Sequence, residues 1–189
     1  MVGKKNIVFG FLYLVLTAAL GPVMVIKYVP AVGAAEAQKQ EKLGFLQTAA
    51  SDNFEVNLEP MKPIDVAKAN TAAILALSDR LNREAPIDAI KGGPHAHGNL
   101  EALLNIAIGV VLLFVALPRL YKEIISWTFI AGALLHSGLL YLVVGLELPW
   151  AAALLGSPFA YVGPVLILIG LGLAGIAVFV GWRGQLARD

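Results

Sequence analysis

Residues 102–146 read ALLNIAIGVVLLFVALPRLYKEIISWTFIAGALLHSGLLYLVVGL. Ala102–Pro118 carries no charge, a short segment then holds Arg119, Lys122 and Glu123, and Ile124–Leu146 is again uncharged throughout. A helix rises about 1.5 Å per residue and the hydrocarbon layer is about 30 Å thick. The first run is lengthened outward by Leu100 and Glu101, so the two runs predict a helical hairpin through a membrane. Helices follow because a segment in hydrocarbon must satisfy its own backbone hydrogen bonds.

The same reading extends to both ends of the chain. Asn6–Ile26 is uncharged between Lys5 and Lys27, a length that suits one span. It is longer than the roughly 7–15 apolar residues of a cleaved signal, so a retained helix is expected. Leu148–Trp182 is also uncharged but too long for one crossing, and Pro158 and Pro164 divide it. A short interfacial stretch over Pro149–Phe159, with Trp150 at headgroup level, then leads into a last span over Tyr161–Trp182. The glycines of that span read as helix-packing surface.

Between the first and second spans, Pro30–Gly93 is polar and carries nine of the 13 acidic residues. Helices are expected over Ala34–Phe45 and Pro63–Glu84. The second has a proline in its first turn and Ile64, Ala67, Thr71, Ile74 and Leu81 at helical spacing. Asn53–Leu58 is read as loop. The expected fold is therefore all-α: an integral membrane four-helix bundle with an external, partly helical loop domain. Its parts are a first span over residues 1–29, a polar segment over 30–93, and three further spans with the candidate site over 94–189.

Composition and charge agree. The chain of 189 residues is 58% hydrophobic and 14% charged, against about 25% charged for a soluble domain. A net charge of +1 provides no field to collect nucleic acid. The absence of cysteine excludes disulfides, thiolate metal sites and covalently attached heme. With a cytoplasmic amino terminus, Lys4, Lys5, Arg119, Lys122, Arg183 and Arg188 all lie inside, and the outer loop at Glu147 has no basic residue. Both termini are then cytoplasmic, and residues 30–93 are external or periplasmic.

Against this apolar background the few polar residues stand out. Lys91-Gly92-Gly93-Pro94-His95-Ala96-His97-Gly98-Asn99-Leu100-Glu101 suggests a break followed by a helix start near Pro94. On that helix His97, Glu101 and Asn105 form one stripe, and His95 points about 200° away from His97. Counting from Pro118 and Glu123 as the ends of the inner hairpin puts Asn105 level with His136, and Glu101 near Tyr141. On the same count His97 comes out about 12 Å higher than His136. Ionisable groups inside a membrane are costly and mark function by default, so Glu101, Asn105 and His136 form the expected buried cluster, flanked by Tyr141 and His97. The alternative readings are that Asn105 serves to join two helices and that His136 is a packed histidine bonded to a carbonyl.

At His95-Ala96-His97-x-Asn99, Gly109 and Pro118, and then Leu135-His136 and Gly145-Leu146, the chain resembles a fragment of the catalytic subunit of the heme-copper oxidase and nitric oxide reductase superfamily. The resemblance covers Pro94–Leu146 and loosely the first span. It implies noncovalent b-type heme, with His97 and His136, and secondarily His95, as candidate ligands, and Glu101, Asn105 and Tyr141 beside the cofactor. Three histidines are too few for a complete heme-copper centre, so an electron-transfer or oxidase-like accessory subunit is implied. Partners would be lipid and either a second copy of the chain or a redox or oxidase subunit. Glu101–Asn105 (EALLN) is similar instead to the four-span, heme-containing styrene oxide isomerases, with Asn99 where those carry a histidine. That resemblance implies an isomerase acting on an apolar epoxide, with Asn105, Tyr141 or Glu101 steering ring opening. A structural or sensory subunit without catalysis is the remaining expectation.

Overall fold

The computed structural model describes residues 1–56 and 59–186; Asn57 and Leu58 of the expected loop, and the basic Arg188, lie outside the described residues. The elements are α1 (Gly3–Ala18), α2 (Leu20–Lys27), α3 (Val29–Ser51), β1 (Glu55–Val56), β2 (Glu59–Pro60), α4 (Pro63–Ile90), α5 (Ala96–Phe114), α6 (Arg119–Ala133), α7 (Pro149–Leu155) and α8 (Val162–Gly181). Wider π turns occupy Leu134–Gly138 and Tyr141–Gly145, a kink within Lys91–His95 separates α4 from α5, and a 3-10 turn covers Pro158–Tyr161. Four helical stretches are long and apolar enough to cross a membrane: Gly3–Lys27, Pro63–Phe114, Arg119–Gly145 and Pro158–Gly181. The chain divides into one unit of Met1–Pro22 with Ala89–Asp189 and a second of Val23–Asp88.

In the first unit α1 and α5 run antiparallel in close contact. The buried face of α1 is Gly3, Asn6, Gly10, Tyr13 and Thr17, a spacing of alternating three and four residues that keeps one seam against a partner helix. A Cβ on Gly10 would lie 2.6 Å from the carbonyl oxygen of Ala102, one on Gly3 would strike the Gly109 carbonyl, and one on Gly98 would strike the Thr17 side chain. Such approach matters in lipid, where packing rather than water exclusion holds helices together. α6 and α8 are also antiparallel, with Gly132 against Ile167 and Gly170 against Phe129. Leu112, Val115, Ile125, Phe129, Ile167 and Ala174 fill the apolar core.

The hairpin between α5 and α6 differs from expectation in where its helices end. The residue before a proline avoids helical geometry, and here the chain is already extended at Val115 (φ −94°, ψ 125°) and stays out of the helix to Pro118. Its freed backbone groups bond to the end of α8: the Ala116 N–H donates to the Gly181 carbonyl (2.8 Å) and the Arg183 N–H to the Phe114 carbonyl (3.2 Å). α6 then starts at Arg119. Elsewhere the expected break falls at Gly93, whose backbone (φ −99°, ψ −110°) is non-helical. A short helix, α7, falls within Pro149–Phe159, and α8 covers most of the last apolar run.

In the second unit both expected helices form and are longer than expected. α3 covers Val29–Ser51, and α4 continues past Glu84 and through Pro86 to Ile90. Glu36 on α3 accepts from Arg80 on α4 (3.1 Å) and from Lys39 (2.6 Å). The segment read as loop contains a minimal antiparallel ladder instead, Glu55 opposite Pro60 and Val56 opposite Glu59, after Asn53 and Phe54 turn the chain with positive φ (51° and 59°).

Candidate functional site

The centre of the site is the Glu101 carboxylate, which α5 carries into the seam with α1 and α6. Glu101 is 4% exposed, so both oxygens need partners. His136 Nδ1–H donates to one oxygen across 2.5 Å. Ser137 Oγ–H donates to the other oxygen, and the Tyr13 hydroxyl bonds to Ser137 Oγ at 2.8 Å. Tyr13 and Ser137 also each lie 3.3 Å from the Ala133 carbonyl. A chain of hydrogen bonds therefore runs Tyr13–Ser137–Glu101–His136. With Nδ1 committed to the carboxylate, a neutral His136 presents Nε2 as its lone-pair nitrogen, the arrangement that orients ligating histidines.

His97 meets His136 directly: the ring centroids are 4.8 Å apart and the planes tilted by 59°. The large height difference expected from counting is therefore corrected, and the physical reason is the position of the helix ends. His97 precedes the end of α5 at Phe114 by as many residues as His136 follows the start of α6 at Arg119, so measured from the true ends the two are level. Asn105 accordingly lies lower than His136. Its amide donates to the carbonyls of Glu101 (2.9 Å) and Phe129 (3.3 Å), and its oxygen accepts from Asn6 (3.0 Å). Asn6 also donates to the Ser126 carbonyl (3.1 Å) and accepts from the Ser126 hydroxyl. This cluster ties α1, α5 and α6 together below the carboxylate.

The other expected residues are placed apart. His95 lies on the opposite side of its turn from His97, as the spacing predicts, with Nδ1 3.1 Å from the Thr17 carbonyl and its ring against Gly21. Asn99 accepts from the Thr17 hydroxyl (2.8 Å). Tyr141 begins the last π turn, half-buried beside Gly145, and is not among the hydrogen-bond partners of Glu101 in the described residues. Tyr13, Asn6 and Thr17 are missing from the expected set. The alternating three-and-four spacing of small and polar residues in an apolar run is the signal that marks them, together with Gly3 and Gly10.

His136 also borders a cleft of about 510 Å³ lined by Leu140, Leu155, Pro158, Tyr161 and Pro164, within the range of small-ligand and cofactor sites. A wholly apolar groove of about 320 Å³ between α6 and α8, near Tyr121 and Val180, contains none of the histidines. Among the described residues no cluster of three or more His, Cys, Asp or Glu side chains is arranged around a common metal position, and no buried side-chain nitrogen or oxygen lacks a hydrogen-bond partner.

No family model matches the chain, and neither a curated protein nor a solved structure matches it.

Proposed function

We propose that this is an integral membrane four-helix bundle in which His136 would hold a b-type heme as the one histidine ligand from this chain. The observation that carries the reading is the carboxylate on His136 Nδ1, beside a cleft of cofactor size. Two imidazoles on opposite axial positions would have ring centroids roughly 6 Å apart, given metal–nitrogen bonds near 2.0 Å. At 4.8 Å and in direct contact, His97 and His136 leave no room for a porphyrin between them, so the pair does not fit as the two ligands of one heme. His136 by itself does fit. Glu101 fixes its ring orientation and favours developing positive charge on the imidazole, Ser137 and Tyr13 hold the second carboxylate oxygen, and His97 packs against the ring. Heme bound there would supply a Lewis-acidic or oxygen-binding iron.

With a single histidine ligand from this chain, such a heme would suit chemistry on a small apolar substrate, such as isomerisation of an epoxide, more than simple electron transfer. The electron-transfer or oxidase-accessory reading would require a further ligand from a second copy or a partner subunit. In the proposed topology both termini are cytoplasmic and residues 30–93 external, from the distribution of lysine and arginine.

Optical and electron paramagnetic resonance spectra of detergent-purified protein from a heme-replete host test the reading. A Soret band with a high-spin, five-coordinate ferric signal is expected, and His136→Ala should abolish it. Two tightly held nitrogen ligands in both oxidation states would instead support electron transfer. The absence of any Soret band would overturn heme binding altogether.

A further inference from the structure

His136 and Ser137 are neighbours in the chain, yet they bond to the two oxygens of one carboxylate. In a regular helix consecutive side chains diverge by about 100°. The π turn over Leu134–Gly138 is wider, which narrows that divergence and lets both residues face α5; turns of this kind recur at functional sites. Such a turn is less well held by its own hydrogen bonds than a regular helix, so its position depends on what packs against it.

The element against it is the first turn of α8, at Gly163. A Cβ on Gly163 would lie 2.5 Å from the backbone nitrogen of His136, 2.6 Å from the carbonyl carbon of Leu135 and 2.7 Å from the His136 Cβ. None of these atoms can move aside by a change of rotamer. The other glycines of α8 differ: Gly170 and Gly181 mainly meet side chains, and Gly172 and Gly175 have nothing within 4 Å. We propose that Gly163 is a positioning residue, whose bare backbone seats the π turn so that the imidazole of His136 stays on Glu101. The contact is independent of any cofactor, but its functional meaning rests on the reading of His136 as the heme ligand. A side chain at position 163 must shift the turn, and the first interaction lost is the short bond from His136 Nδ1 to Glu101.

The test compares Gly163→Ala, Glu101→Gln and, as control, Gly172→Ala in the full chain. In heme-loaded protein the ferrous iron–histidine stretching frequency reports the hydrogen bond at Nδ1. It should fall in Glu101→Gln, fall similarly in Gly163→Ala and stay at the original value in Gly172→Ala. In protein labelled with ¹⁵N-histidine, the Nδ1 resonance of His136 reports the same bond without heme, and should shift in the first two variants only. A merely structural role for Gly163 would lower stability but leave both signatures of the folded protein in place, which would overturn the proposal. Should Gly163→Ala not fold, the original protein still decides: a strong nuclear Overhauser contact between the Gly163 Hα and the His136 amide is expected, and its absence overturns the proposal. Loss of the Soret band in the original protein with the ¹⁵N result intact would refute heme binding alone.

Discussion

Tyr13 shows how one hydroxyl supports the site from a helix that carries none of its ionisable groups. Its bond to Ser137 Oγ leaves the Ser137 proton for Glu101, so α1 contributes to holding the carboxylate that orients His136. Buried hydrogen bonds between membrane helices contribute about 0.6–2 kcal/mol each, and Tyr13→Phe removes one without opening a large cavity. The variant should lose about 1 kcal/mol, seen as a lower midpoint of thermal unfolding in detergent, while keeping its heme. Complete loss of heme in Tyr13→Phe would show that the hydroxyl acts at the cofactor rather than through Ser137. Of the site residues, Glu101 and His136 were legible in the sequence because ionisable groups are rare in an apolar run. Tyr13 and Ser137 were less so, because an uncharged hydroxyl in a membrane segment carries little cost until its partners are known.

At the scale of elements, two helix pairs do different work. The seam of α1 and α5 relies on backbone approach at glycine, whereas α3 and α4 are linked by a half-buried ion pair. Glu36 is held well below the ordinary carboxyl value of 4.5, at about 2, first by the hydrogen bond from Lys39, then by that from Gln40, with Arg80 adding its charge. A carboxyl whose folded value is depressed stabilises the fold above its unfolded value and loses that contribution as pH falls through the folded one. The Glu36 contribution should therefore be complete above about pH 4.5 and vanish only towards about pH 2. The carboxyl carbon of Glu36, followed by nuclear magnetic resonance in the full chain, should titrate near 2, and Arg80→Ala should raise the midpoint. A midpoint at the ordinary 4.5 would contradict these contacts. Existence and type of these helices followed from uncharged length for α1 and α5, from helix-forming composition for α3 and from helical spacing for α4. Their ends did not, because the chain leaves α5 before Pro118 where α8 can accept its backbone bonds, and α4 runs on through Pro86.

For the whole molecule, the absence of cysteine makes the proposed topology directly testable. Single cysteines at the exposed positions Lys4, Ser51 and Gln185 can be probed in intact cells with a membrane-impermeant maleimide. Ser51→Cys should label in intact cells, and Lys4→Cys and Gln185→Cys only after the membrane is opened. Labelling of all three from outside would remove the four-span topology; the reverse pattern would invert it.

Sequence by itself determined the apolar character of the chain, the all-α class and the number of helices long enough to cross a membrane, because these depend on sums over many residues and on charge being expensive in hydrocarbon. It also singled out Glu101 and His136. Only the tertiary structure decided that His97 and His136 touch, that Asn105 belongs to a separate cluster with Asn6 and Ser126, and that Gly163 lies on the backbone of His136. Depth along a helix is counted from its ends, and an error of about one turn at a hairpin moves a side chain about 5 Å. Pro118 marks the start of α6 locally, but the early end of α5 is paired with the end of α8, which lies far beyond it in the chain and so leaves no local mark.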